Sequence, residues 1–153
     1  MAVELKLTVG SELSDVKDGI SRILLFLQDD AAVSGDTAAE LRLVFSELLC
    51  NAAIHGNHNN LHKNIWVEIR LEDGCVCGSV RDEGDGFDIS GIRRAHGKDK
   101  INKGRGGRGL MLVCALTDYF DYETPVRRAV FRKRIAPDPK ADPNIVLKRD
   151  RDV

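Results

Sequence analysis

The 153-residue sequence contains no apolar run near the roughly 20 residues that a membrane-spanning helix needs. Its first residues, MAVELKLTVGSE, lack the basic start and the long apolar core of a signal peptide. Neither sign of charge is in excess, because the formal net charge is -1, so there is no general case for binding nucleic acid or a membrane. We therefore expect a cytoplasmic protein with no direct nucleic-acid partner and no membrane partner.

The sequence also lacks the paired Cys-x-x-Cys spacing that is typical of zinc sites. Cys50 and Cys114 lie on apolar helical faces and are predicted to be buried thiols. Cys75 and Cys77 are two residues apart in a strand-like run, so their side chains should lie on the same face. This pattern disfavours a metal-binding or disulfide role for the four cysteines.

The composition favours one soluble, globular domain. Hydrophobic residues make up 42% of the chain and charged residues 31%, and the length is sufficient for a real core. The predicted domain covers residues 1–135. The remaining residues, 136–153, are polar and carry Pro137, Pro139 and Pro143, so we predict a tail or an extended arm there.

Hydrophobic periodicity predicts a mixture of strands and helices that do not alternate as regular βαβ units. The predicted strands are Glu4–Val9, Ile65–Leu71, Cys75–Val80, Asp118–Glu123 and Ala129–Ile135. Glu72-Asp73-Gly74 is a hairpin signal, because Asp-Gly supplies the positive φ angles that such turns need. Two hairpins imply a mixed, largely antiparallel sheet. Helices covering one face of it would make a two-layer α/β sandwich.

Two helix starts are predicted from capping residues. Ser11 is a candidate N-cap for a first helix whose apolar stripe begins at Leu13. After a loop at Gly35, Asp36 or Thr37 would cap a second helix, with Glu40 placed for a capping box with Thr37. A short third helix is predicted from Leu110 to Leu116.

The second helix organises the chain, because its apolar stripe from Leu41 to Asn57 carries a row of polar residues. Glu47, Asn51 and His55 are each four residues apart, which keeps them on nearly one side of a helix that stops near Gly56. A buried row of this kind is costly unless it is hydrogen-bonded or binds a ligand. The alternative is the solvated edge of an ordinary amphipathic helix.

Two glycine-rich segments follow. In DEGDGFD, Asp82–Asp88, a carboxylate at a strand end precedes glycines that let a ligand approach the backbone. The alternative is an ordinary acidic turn, which would have the same sequence pattern. GRGGRGL, Gly104–Leu110, runs into a helix and could offer N–H groups to phosphate, the alternative being a flexible linker. The stretch between them, Ser90–Arg105, is basic and irregular.

The order of these elements resembles the GHKL superfamily of ATP-binding domains. ELLCNAAIHGN looks like its N box, DEGDGF like its G1 box and GGRGLMLV like its G2 box. The resemblance covers roughly residues 5–135. Within the superfamily, the chain is most similar to the anti-sigma factor serine/threonine kinases of bacterial partner-switching systems.

The resemblance implies a role for each matching residue. Glu47 would be the general base, Asn51 would ligand Mg²⁺, and Asp82 would accept a hydrogen bond from the adenine amino group. The other implied nucleotide-binding residues are His55, Gly84, Gly86, Arg105, Gly106, Gly107, Gly109 and Leu110. Ser90–Arg105 would form a basic lid over the phosphates.

The function that the resemblance implies is an ATP- and Mg²⁺-dependent protein serine kinase. It would phosphorylate an anti-sigma factor antagonist and sequester a sigma factor, with a homodimer as one expected state. Two alternatives stay open. One is a catalytic domain of the histidine-kinase type. Against this alternative, Ser11–Gln28 predicts a single helix and not the pair of phospho-acceptor helices that such kinases have. The other is a regulatory module that binds ATP without transferring phosphate.

Overall fold

The computed structural model describes residues 3–33, 35–84 and 107–135, with backbone alone for Gly107 and Arg108. The predicted basic lid, Ser90–Arg105, and the predicted tail, 136–153, lie outside the described residues. Among the described helices, none is long and apolar enough to cross a membrane.

Five strands form one sheet in the order β1-β2-β3-β5-β4. The strands are β1 (Glu4–Gly10), β2 (Asn64–Glu72), β3 (Cys75–Arg81), β4 (Tyr119–Glu123) and β5 (Arg128–Arg134). All four pairings between these strands are antiparallel. Asp73 and Gly74 form the two-residue turn between β2 and β3 with φ angles of 51° and 72°, which confirms the predicted hairpin.

Three α-helices cover one face of the sheet: α1 (Leu13–Asp29), α2 (Gly35–Asn51) and α3 (Gly107–Leu116). A π-helical turn, Ala52–Gly56, continues α2. The core lies between the layers, because alternate strand residues face the helices and are buried. It is built from Leu7, Val9, Ile65, Val67, Ile69, Val76, Val80, Ala129 and Phe131 on the sheet and from Val44, Phe45, Leu48 and Leu49 on α2. The predicted two-layer α/β sandwich is confirmed.

One glycine in the sheet makes room for the aromatic contact between the layers. Gly78 pairs with Phe131 across β3 and β5. A Cβ atom on Gly78 would overlap the Phe131 ring. With that space available, the Phe131 ring meets Phe45 of α2 edge to face, with centroids 5.1 Å apart. The contact fixes α2 over the middle of the sheet.

The predicted caps are wrong, and Ser11 and Glu40 have other partners. Ser11 Oγ donates to the Lys63 carbonyl at 2.7 Å, and α1 starts two residues later with Leu13 65% exposed. The second helix already begins at Gly35, so Thr37 lies inside its first turn. Glu40 forms an ion pair with Lys133 Nζ at 2.6 Å instead of closing a capping box.

The four cysteines are free thiols. Cys75 and Cys77 lie on the same side of β3, away from the helices, as the sequence predicted. Cys50 and Cys114 are half-buried rather than fully buried. Burial raises the pKa of the Cys50, Cys77 and Cys114 thiols, which favours the neutral form.

Candidate functional site

The site is built on the end of α2, where the helix changes from α to π geometry. The Asn57 N–H donates to the Ala52 carbonyl, five residues earlier, at 2.8 Å. Such π turns occur mostly as single turns next to α-helix, and frequently at functional sites. The turn ends the helix with buried Gly56, and two groups of polar side chains lie on either side of it.

The first group, the carboxylate–amide cluster, consists of Glu47, Asn51 and Gly109. Glu47 and Asn51 lie one turn apart on α2, and Gly109 lies in the first turn of α3. A Cβ atom on Gly109 would overlap Glu47 Oε2 and would lie 3.9 Å from Asn51 Nδ2. The structure therefore brings together the predicted base, the predicted metal ligand and Gly109 of the second glycine-rich segment.

The amide of Asn51 is suited to binding a ligand. Asn51 is 8% exposed, and its Nδ2 has no hydrogen-bond partner within the part of the chain that the structure describes. A buried amide without a partner is costly, so such a group calls for an explanation. Amide and carboxylate oxygens suit Mg²⁺, which commonly takes one or two protein ligands together with phosphate oxygens and water. The unpartnered Nδ2 is a donor and suits a phosphate oxygen. The Asn51 amide oxygen and the Glu47 carboxylate are of the type that Mg²⁺ prefers, so these residues fit a Mg²⁺ ion that is held jointly with a nucleotide.

No described group of three or more His, Cys, Asp or Glu side chains could hold a metal ion by itself.

The second group, the Asp82 cluster, consists of Gly56, Asp82 and Gly84. Asp82 follows β3 and is 3% exposed. Its Oδ1 accepts from the Gly84 N–H at 2.8 Å. A Cβ atom on Gly56 would overlap the Asp82 carboxylate, and one on Gly84 would overlap the Gly56 carbonyl oxygen. Close packing thus requires glycine at both positions. It brings the start of the Asp82–Asp88 segment against the end of the second helix.

Burial raises the pKa of the Asp82 carboxyl above its ordinary value. The Gly84 backbone N–H and electrostatic interactions with Arg127, Lys63 and His58 lower the pKa, in that order, but burial is the largest effect. A buried carboxylate with one recorded hydrogen bond has acceptor capacity left for a ligand donor.

The remaining predicted site residues are distributed differently. His55 lies in the π turn and is exposed, and Glu47 is partly exposed, so Asn51 alone of the predicted buried row is buried. Leu110 is 3% exposed and its side chain belongs to the core, which leaves its backbone for any contact with phosphate. Gly107 begins α3. Gly86, Arg105 and Gly106 lie outside the described residues.

The sequence analysis did not predict a role for Asn57, which contacts the backbone next to Asp82. This side chain is fully buried. Its Nδ2 donates to Ser11 Oγ at 3.0 Å and to the Asn64 carbonyl at 2.9 Å, and its Oδ1 accepts from the Glu83 N–H at 2.8 Å. Asn57 therefore fixes the peptide that follows Asp82. The only sequence signal was its place at the end of an apolar helix.

Comparison with known proteins gives consistent matches. A model of the histidine kinase-like ATPase domain matches residues 11–131. An anti-sigma F factor of Oceanobacillus iheyensis is 34% identical over 79 residues, which are 51% of this chain and 54% of the relative. An anti-sigma F factor of Geobacillus kaustophilus is 32% identical over 105 residues, 66% of this chain and 72% of the relative. The chain thus spans about half the length of the first of these relatives and more of the second.

Proposed function

Because this chain belongs to the histidine kinase-like ATPase domain family, we propose that it binds ATP with Mg²⁺ and transfers the γ-phosphate to a serine of a partner protein. The observation that carries the proposal is the convergence of three separated motifs on the end of one helix. Glu47 and Asn51 meet Gly109 there, and Gly56 meets Asp82 and Gly84.

The Asp82 cluster would bind the adenine base. The carboxylate accepts a hydrogen bond from the amino group of the base, and Gly56 and Gly84 keep side chains out of the space around it. The bond would be strong because the acceptor is charged and largely shielded from water. The Gly84 N–H holds the carboxylate and Asn57 holds the neighbouring Glu83 peptide before the nucleotide arrives, so little ordering is needed on binding.

The carboxylate–amide cluster would hold the phosphate end. Asn51 would supply an amide oxygen to Mg²⁺, which when bound neutralises charge on the phosphates. Glu47 would orient the attacking hydroxyl and accept its proton. Gly109 keeps the first turn of α3 close to both side chains, and backbone N–H groups at this helix start would face the phosphates.

The partners follow from the relatives. Since these are anti-sigma F factors, we propose that this chain sequesters a sigma factor and phosphorylates an anti-sigma factor antagonist, in the cytoplasm and as a homodimer. A domain of the histidine-kinase type would transfer the phosphate to histidine instead. A regulatory module would bind ATP and transfer none.

Substitutions on α2 separate binding from transfer. Glu47→Gln is nearly isosteric and should still bind ATP, yet transfer should fall about 10²–10⁴-fold because the base is lost. Asn51→Ala should lose the Mg²⁺-dependent part of the ATP affinity. Calorimetry measures the binding, and labelled ATP with an anti-sigma factor antagonist from the same organism measures the transfer.

Glu40→Gln is the matched control, because Glu40 lies on the same helix and pairs with Lys133 rather than facing the site. It should bind and transfer like the wild type. Wild-type transfer by Glu47→Gln would contradict the role of Glu47 as the base.

A further inference from the structure

Arg127 adopts a backbone conformation that normally belongs to glycine. It follows the short 3₁₀ turn Thr124–Val126 with φ 54° and ψ 47°, in the left-handed region. A long side chain is disfavoured there, whereas glycine would fit without strain. Strained positions of this kind cluster at functional sites, so the guanidinium is a candidate for a specific role.

Arg127 lies directly beside Asp82. The Asp82 N–H donates to the Arg127 carbonyl at 3.4 Å. The ladder between β3 and β5 pairs Arg81 with Arg128, so the next position places Asp82 opposite Arg127. The charge of Arg127 is also near enough to lower the pKa of the Asp82 carboxyl, although burial has the larger, opposite effect. The guanidinium therefore lies near the carboxylate that is proposed to bind the base.

The guanidinium also has a spare donor. Arg127 Nε is buried and has no hydrogen-bond partner among the residues that the structure describes. The neighbouring arginines are different, because Arg128 donates to Glu123 from both Nε and Nη2, and Arg81 stacks on the Trp66 ring. A buried donor without a partner is expensive, and a ligand that accepts from it would recover that cost.

We propose that Arg127 is a specificity-determining residue that donates to the adenine ring while Asp82 accepts from the amino group; this inference rests on the proposed function. On each edge that carries the amino group, adenine presents a donor next to an acceptor ring nitrogen, N1 on one side and N7 on the other. A carboxylate with a guanidinium beside it matches that pair. The Arg127 Nε–H donates to one of these two nitrogens.

The test combines a substitution with modified nucleotides. Arg127→Gly removes the guanidinium and suits the left-handed backbone, so the midpoint of thermal unfolding should stay the same or rise by a few degrees. ATP affinity measured by calorimetry should nevertheless fall about tenfold to a hundredfold, as expected for a hydrogen bond from a charged donor. Arg127→Lys keeps the charge without the Nε–H and should recover only part of the affinity.

Deaza analogues identify the contact. The wild type should bind either 1-deaza-ATP or 7-deaza-ATP about tenfold to a hundredfold more weakly than ATP. Arg127→Gly should bind that same analogue as well as it binds ATP, because the contact is already lost. The matched control is Asp73→Gly, which changes a left-handed residue with φ 51° in the distant β2–β3 turn and should behave like the wild type.

The inference is overturned if Arg127→Gly binds ATP with wild-type affinity. It is also overturned if Arg127→Gly lowers the affinity for ATP and for both analogues by the same factor, since Arg127 would then act through charge or structure alone. Failure of the proposed function has another signature: the wild type would not bind ATP at all, whichever residue stands at position 127.

Discussion

Asp82→Asn should weaken nucleotide binding while making the protein more stable at neutral pH. The carboxyl is 3% exposed and its Oδ1 accepts from the Gly84 N–H at 2.8 Å. Asparagine has nearly the same shape and keeps an oxygen for that bond, so the substitution removes the charge without opening a cavity. Its effects on binding and on folding therefore have separate causes.

The loss of affinity follows from the type of hydrogen bond. Bonds to a charged group contribute about 1.5–3 kcal/mol, so ATP should bind roughly tenfold to a hundredfold more weakly. The effect on stability follows from the pKa of Asp82, which burial raises. Between the ordinary pKa and the raised one, the folded protein binds more protons than the unfolded chain, so stability is lost as pH rises through that window. Asparagine does not titrate and escapes this loss.

Calorimetry with ATP-Mg²⁺ at pH 7.5 and urea unfolding from pH 3 to pH 8 measure both effects. The stability advantage of Asp82→Asn over the wild type should grow as pH rises through the window and then level off. Glu68→Gln, at an exposed carboxylate on β2, is the control for loss of a negative charge. Equal ATP affinity in the variant and the wild type would refute the role in base binding, and a variant that is less stable at neutral pH would refute the account of the buried charge.

Two further substitutions test the packing around the site. Gly109→Ala places a methyl group against the Glu47 carboxylate, which is flexible and can move aside. Phosphoryl transfer should therefore fall at least about tenfold, while the free energy of urea unfolding changes by less than about 1 kcal/mol. Unchanged transfer would contradict the close approach of Gly109 to Glu47. Asn57→Ala leaves the Glu83 N–H and the Asn64 carbonyl without their buried partner. It should therefore lower the free energy of unfolding by about 2–4 kcal/mol. A urea midpoint like that of the wild type would show that water replaces the amide.

Much of the fold could be predicted because its signals are local. Alternating apolar residues marked the strands, and the Asp73-Gly74 turn set the register between β2 and β3. The apolar stripe of α2 predicted the buried side of that helix correctly, including Val44 and Leu48. The family resemblance read from the three motifs is confirmed by the family match. It depended on the order of the motifs, since each glycine segment alone fitted a turn or a linker equally well.

Other features depended on contacts that no local pattern encodes. The prediction that His55 lies in one buried row with Asn51 assumed a regular α-helix. The π turn changes the rotation per residue and leaves His55 exposed. Ser11 has the right chemistry for a cap, yet Lys63, 52 residues later, takes its hydrogen bond. Arg127 carried no signal, because only the structure shows its left-handed backbone and its place beside Asp82.

The most direct test of the account identifies the product of phosphoryl transfer. The wild-type protein is incubated with Mg²⁺, ATP labelled in the γ-phosphate and an anti-sigma factor antagonist from the same organism, and the labelled group is located by mass spectrometry. We expect phosphoserine on the antagonist, formed in step with ADP and lost in Glu47→Gln. Label found only in inorganic phosphate or on a histidine, or ATP left unconsumed, would contradict it.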